Sequence, residues 1–138
     1  MHRIIPTASA VCLALVLFVS LASAARAAAC DNAQAQALAR QGYQDLDRHK
    51  WTEAKAVAGS LVQMAQSCDD TGVKVATAVH SAYIGSAAMH GLGDDSHAAE
   101  GVKAGLMVLE VIGKSAEYKT LYDQMQPRFI ELQRQLKT

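Results

Sequence analysis

The chain has 138 residues, with 13 basic and 13 acidic side chains and a formal charge of zero. That balance leaves no basic field to hold nucleic acid or an anionic membrane surface, and the length suits one domain with a modest core. Hydrophobic residues make up 51% of the chain but aromatic ones only 5%, so a core has to be built largely from small aliphatic side chains.

The first expected element is an export signal. His2 and Arg3 precede an apolar run from Val11 to Leu21, which gives way to Ala22, Ser23, Ala24, Ala25 and Arg26; this is the three-part layout of a secretory signal peptide. The run is shorter than the roughly 20 apolar residues of a membrane-spanning helix. Cleavage is therefore expected over anchoring, after Ala27, which makes residues 1–27 a signal and 28–138 one helical domain with no stable membrane span. Loss of Arg3 and Arg26 leaves 11 basic against 13 acidic residues, a formal charge of −2. Cys12 leaves as well. Cys30 and Cys68 remain as an even pair, and in the bacterial periplasm or outside the cell such a pair favours a disulfide over a metal-thiolate site. The segment Ala27-Ala28-Ala29-Cys30 also resembles a bacterial lipobox, and the alternative it implies is a lipoprotein anchored at Cys30. Ala27 stands where that motif usually has a larger aliphatic residue, however, and Arg26 intervenes.

Everything after Cys30 reads as helix. The only prolines are Pro6 and Pro127, and no stretch alternates apolar and polar residues as a half-buried strand does. A first helix is predicted over Asn32 to Arg48, with the stripe Ala35, Leu38, Ala39, Gly42, Tyr43 and Leu46. After the turn His49-Lys50-Trp51, Thr52 is the expected cap of a second helix reaching Cys68, with Ala54, Val57, Ala58, Leu61 and Ala65 on one face. Asp70 or Thr71 caps a third, whose apolar face is Val73, Ala76, Val79, Tyr83 and Ala87 and which stops at Gly91-Leu92-Gly93. Asp94, Asp95 or Ser96 starts a fourth, ending at Gly113. A fifth begins near Ser115 and carries one apolar face past Pro127, with a kink near Gln124 preferred over a break. Equal lengths and a short turn make the first two helices antiparallel, which puts Cys30 and Cys68 at the same end of that hairpin, opposite Trp51.

Two segments resemble the tetratricopeptide repeat family, whose units are antiparallel helix pairs with small residues where the helices touch. Gly42, Lys50-Trp51 and Ala54 match the family's small residue, turn and alanine in the first hairpin. Ser86, Gly93 to Glu100 and Ala98 do so in the second. The match is degenerate, since Ala54 and Ala98 lie 44 positions apart rather than the family's usual spacing near 34, and Ala58 and Val102 replace its second-helix aromatic. The resemblance implies an all-α fold of about four helices in antiparallel hairpins, a C-terminal capping helix, and action as a protein or peptide interaction module. Tyr43, Trp51 and Tyr83 are the candidate binding residues.

Chemistry is less well represented. The chain contains no Cys-x-x-Cys, Gly-x-Ser-x-Gly, His-Glu-x-x-His or phosphate-binding glycine loop, and its glutamates are scattered, so neither an enzyme nor a bound cofactor is expected. The alternative function is a periplasmic metal-binding or stress-related protein, in which His90, Asp94, Asp95 and His97 converge around the third turn on zinc or copper(II). The glycines inside the helices, Gly59, Gly85, Gly101 and Gly105, are expected to mark close helix approaches, because each weakens a helix by about 1 kcal/mol relative to alanine.

Overall fold

A computed structural model describes residues 31–137. The expected signal peptide, the lipobox and Cys30 lie outside the described residues. The protein is all-α, with helices α1 (Asn32–Asp47), α2 (Trp51–Gln66), α3 (Thr71–Gly91), α4 (Asp95–Ile112) and α5 (Lys119–Leu136), the last preceded by a 3-10 turn at Ala116–Tyr118. Each helix packs on the next in the chain through a short connection, and α3 also packs on α1 and on α5. Among the described residues, no helix is long and apolar enough to cross a membrane.

Helix starts follow local chemistry. Asp31 accepts from the Ala33 amide at 2.8 Å, Asp70 from Val73 at 3.1 Å and Asp94 from His97 at 3.3 Å; each satisfies an amide that has no partner within its helix. The exception is α2. Lys50, not Thr52, is its N-cap, and it provides no side-chain bond. The Lys50 carbonyl already accepts from the Ala54 amide at 2.9 Å, so Thr52 lies inside the first turn. Pro127 does not break α5. It lacks the amide that would serve the carbonyl of Asp123, and both residues are exposed, so that carbonyl is left on the side where water can reach it.

The core is divided in two. Ala54, Val57, Ala58, Leu61, Ile84 and Ala88 form one cluster between α2 and α3, against which Leu38, Ala39, Tyr43 and Leu46 of α1 pack. Val79, Val102, Leu109, Ile112, Met125, Phe129 and Leu132 form the other, between α3, α4 and α5. Helix α3 belongs to both, which is why the single apolar face expected for it does not describe it. Of that face only Val79 is fully buried, whereas Thr77, Ser81, Ile84, Gly85, Ser86 and Ala88 are buried around the rest of the helix. Small and hydroxylated side chains let neighbours approach from several directions, and the buried Ser81 hydroxyl is satisfied by the Ala58 carbonyl at 3.2 Å.

The turns that close the two hairpins repeat each other at the 44-residue offset. Arg48-His49-Lys50 joins α1 to α2, and Leu92-Gly93-Asp94 joins α3 to α4. Among the described residues, His49 and Gly93 are the two with positive φ, at 56° and 83°. The amides of Arg48, His49 and Lys50 donate to the carbonyls of Gln44, Leu46 and Asp45; those of Leu92, Gly93 and Asp94 donate to the corresponding Ala88, His90 and Met89. Ala54 and Ala98 occupy the same place after each turn, and both are completely buried.

Candidate functional site

Helices α1, α3 and α5 together line one side of the molecule, and Tyr43 sits where they meet. Its ring stacks on Tyr83 with centroids 6.0 Å apart, and Tyr83 in turn meets Phe129 edge-on at 5.5 Å. The Arg128 guanidinium lies 5.1 Å from the centre of the Tyr43 ring, in cation–π range. The Tyr43 hydroxyl is 2.7 Å from Nδ1 of His80 and 3.7 Å from Sδ of Met125. A hydroxyl has one proton to give. With His80 protonated on Nε2, Tyr43 donates to Nδ1; with the proton on Nδ1, His80 donates to the hydroxyl oxygen and Tyr43 turns its proton to the sulfur. Either way one side chain ties three helices together.

Burial sets the charge state of this cluster. It pushes the Tyr43 phenol well above its ordinary value, and Arg128 offsets only part of that. Burial also raises Tyr83, with the negative charges of Asp47 and Glu131 adding to the effect against Arg128. His80 is held below its ordinary value, first by burial and then by the positive charge of Arg128. At neutral pH the cluster therefore presents neutral rings and hydroxyls, with one cation, Arg128, and one anion, Asp47, at its edge.

Of the openings that Tyr43 borders, two also reach Asp47 and Arg128. One, of about 570 Å³, is lined by Tyr43, Asp47, Trp51, Tyr83, His90 and Arg128 among others. The other, of about 290 Å³, is lined by Tyr43, Asp47, His80, Gln124, Met125 and Arg128. The three candidate aromatic residues thus share one groove. Trp51 reaches it by folding over the end of α3: a side-chain carbon on Gly91 would collide with the indole, and His49 stacks on the same side chain at 4.9 Å and 16°. All three aromatics are partly buried, each offering some surface to solvent.

The expected metal set does not converge. His90 Nδ1 binds Asp95 Oδ1 at 2.7 Å, and His97 Nδ1 binds Asp94 Oδ2 at 2.7 Å, as two separate pairs. The reason is local. Asp94 is the α4 cap and holds both the amide and the ring of His97, which keeps its carboxylate on the helix start and its acidity below the usual carboxylate range, while Asp95 reaches back across the turn to α3. Among the described residues, no group of three or more His, Cys, Asp or Glu side chains could hold a metal ion.

Cys68 is 3% exposed in the connection after α2, with Sγ 3.5 Å from the Asp70 carbonyl. Sequence reasoning missed His80 and Arg128. His80 gave a signal, a polar residue three positions before Tyr83 and beside Val79 on an apolar face; Arg128 gave none, because nothing in α5 alone says which helix it faces. No known family, curated protein or solved structure matches the chain.

Proposed function

We propose that this is a small exported protein made of degenerate, tetratricopeptide-like helical hairpins, which binds a protein or peptide segment in the groove of Tyr43, Trp51, Tyr83 and Arg128. The observation that carries this reading is the convergence of these residues from four different helices on one opening, with flat aromatic faces and a guanidinium, the side-chain types that dominate binding energy at interfaces. The repeat of turn geometry at the 44-residue offset and the packing of α3 on both α1 and α5 support the hairpin-array part of it. A Cys30–Cys68 disulfide belongs to the same proposal. Asn32 at the start of α1 lines a recess with Ala76 and Thr77 of α3, so the chain enters α1 at the end of the hairpin where Cys68 is buried. Closing that loop would constrain the unfolded chain by about 4 kcal/mol in the loop-entropy account.

The chain's sole tryptophan lies in the groove, so its emission reports occupancy. Peptides selected from a random display library on the purified protein are expected to shift Trp51 emission and to bind about tenfold or more weakly to Tyr83→Ala and Arg128→Ala, each checked for helicity by circular dichroism. Selected peptides that bind both variants as tightly as the parent would remove the groove from the account. Mass spectrometry without reductant tests the disulfide separately.

A further inference from the structure

The outward face of α4 is apolar where it should be polar. Among the large apolar side chains that face solvent, Val62, Leu92 and Ile130 are single, whereas Met107, Val108 and Val111 fall together on α4, with Met107 at 60% and Val111 at 75% exposure. Isolated exposed apolar residues are ordinary, but a contiguous strip marks a contact surface. The strip lies opposite the buried face of the same helix, formed by Ala98, Val102, Gly105, Leu109 and Ile112. Ala104, Met107 and Val111 recur at the three-and-four spacing of a helical seam, and Val108 widens it.

Charges frame this strip in a pattern that selects its partner. Lys103 and Glu110, both exposed, are seven positions apart and therefore lie on the same flank of α4, one on each side of Met107. Two copies of such a helix laid face to face and antiparallel, with the two-fold axis at Met107, bring Lys103 of each onto Glu110 of the other. Laid parallel, the charged flanks of the two copies fall on opposite sides of the seam, and Lys103 and Glu110 do not meet.

We propose that α4 is a homodimerisation surface, pairing antiparallel with α4 of a second copy about Met107. The interface is isologous, so every favourable contact occurs twice. A single helix of this length spans about 27 Å, which places the contact at the small end of specific interfaces and the dimer in the weak, micromolar class. The pairing leaves the Tyr43 groove free, because that groove is built from α1, α2, α3 and α5 and not from the outer face of α4.

Sedimentation equilibrium of the purified protein, from about 1 µM to 1 mM and in low salt, tests this. A concentration-dependent dimer is expected, and Met107→Asp, which changes a solvent-facing residue, is expected to keep the helical circular dichroism spectrum and abolish the dimer. Lys103→Glu and Glu110→Lys are each expected to weaken association about tenfold, since each replaces two attractions with two repulsions, and the double exchange is expected to restore it. A protein that stays monomeric throughout, a dimer indifferent to Met107→Asp, or a double exchange no tighter than the single variants would each overturn the proposal.

Discussion

The two hairpins make the same contact with the volume on opposite helices. In the first, the small residue is on the leading helix: a side-chain carbon on Gly42 would lie 3.1 Å from Val57 Cγ1 and 2.8 Å from Ile84 Cδ1. Forty-four positions on, the leading helix carries Ser86, completely buried, and the following helix has the glycine, Gly101, on which a side-chain carbon would collide with the Ser86 hydroxyl. The turns differ in the same complementary way. The first puts His49 in the left-handed region and stacks it on Trp51; the second uses Gly93, free of that strain, and fastens the next helix with the Asp94 cap and two His–Asp pairs. What the hairpins share is turn geometry and a glycine set against a larger side chain, so the likeness is easier to see in the turn hydrogen bonds than in residue identities.

The exchange of volume can be broken directly. Gly101→Val is expected to destabilise by about 2–3 kcal/mol through overpacking against Ser86, read as a lower urea midpoint, and Ser86→Gly in the same chain, which recreates the small-then-large order of the first hairpin, should recover more than half. A neutral Gly101→Val would end the comparison. The next effect has the opposite sign. Asp45 is 8% exposed with Oδ2 unpartnered, at the position where the second hairpin has Met89; Asp45→Met should stabilise by about 1–2 kcal/mol by removing an unsatisfied buried polar atom. Transplanting the cap is expected to give about 1 kcal/mol: Lys50→Asp supplies the first turn with the bond that Asp94 makes in the second, and a midpoint unchanged by it would mean the two turns are less alike than their backbone suggests.

The finest test reads one ring. His80 has its acidity set by burial and by Arg128, so its folded pKa lies below the unfolded value near 6.5. As pH falls, unfolded chains take up this proton first; stability should therefore decline from about pH 6.5 downward and level off once the folded protein is protonated too. The His80 ring resonances followed by NMR should titrate below the ordinary histidine range, and Arg128→Gln should move them back part of the way. Titration at or above the ordinary value would contradict the burial of this ring.

Most element boundaries were legible because the punctuation is local: Asp70 and Asp94 as caps, and the glycines after α3 and α4. Thr52 misled because a threonine after a turn looks like a cap whether or not the helix has already begun. The α3 face was misread for a different reason. A helix enclosed by four others has no single apolar side, and its sequence, with Thr77, Ser81 and Ser86 inside, does not show the periodicity of a half-exposed one. The glycines were only partly understood. Gly101 and Gly105 do mark close approaches, the latter against the Phe129 ring, but Gly59 is exposed with nothing within 4 Å, and no contact in the structure explains it. At the site, Tyr43, Trp51 and Tyr83 were visible as residue types, but their meeting depends on how α1, α2 and α3 come together, which no local pattern encodes.

Helix α3 gives Ile84 and Ala88 to one hydrophobic cluster and Val79 to the other. Neither hairpin can therefore open completely without exposing part of the other's interior, and the molecule should lose its structure as one unit despite being built from two hairpins. Amide hydrogen exchange ought to register this as a single slowest class centred on the middle of α3, from about Val79 to Ala88, with protection declining outward toward α1 and the end of α5.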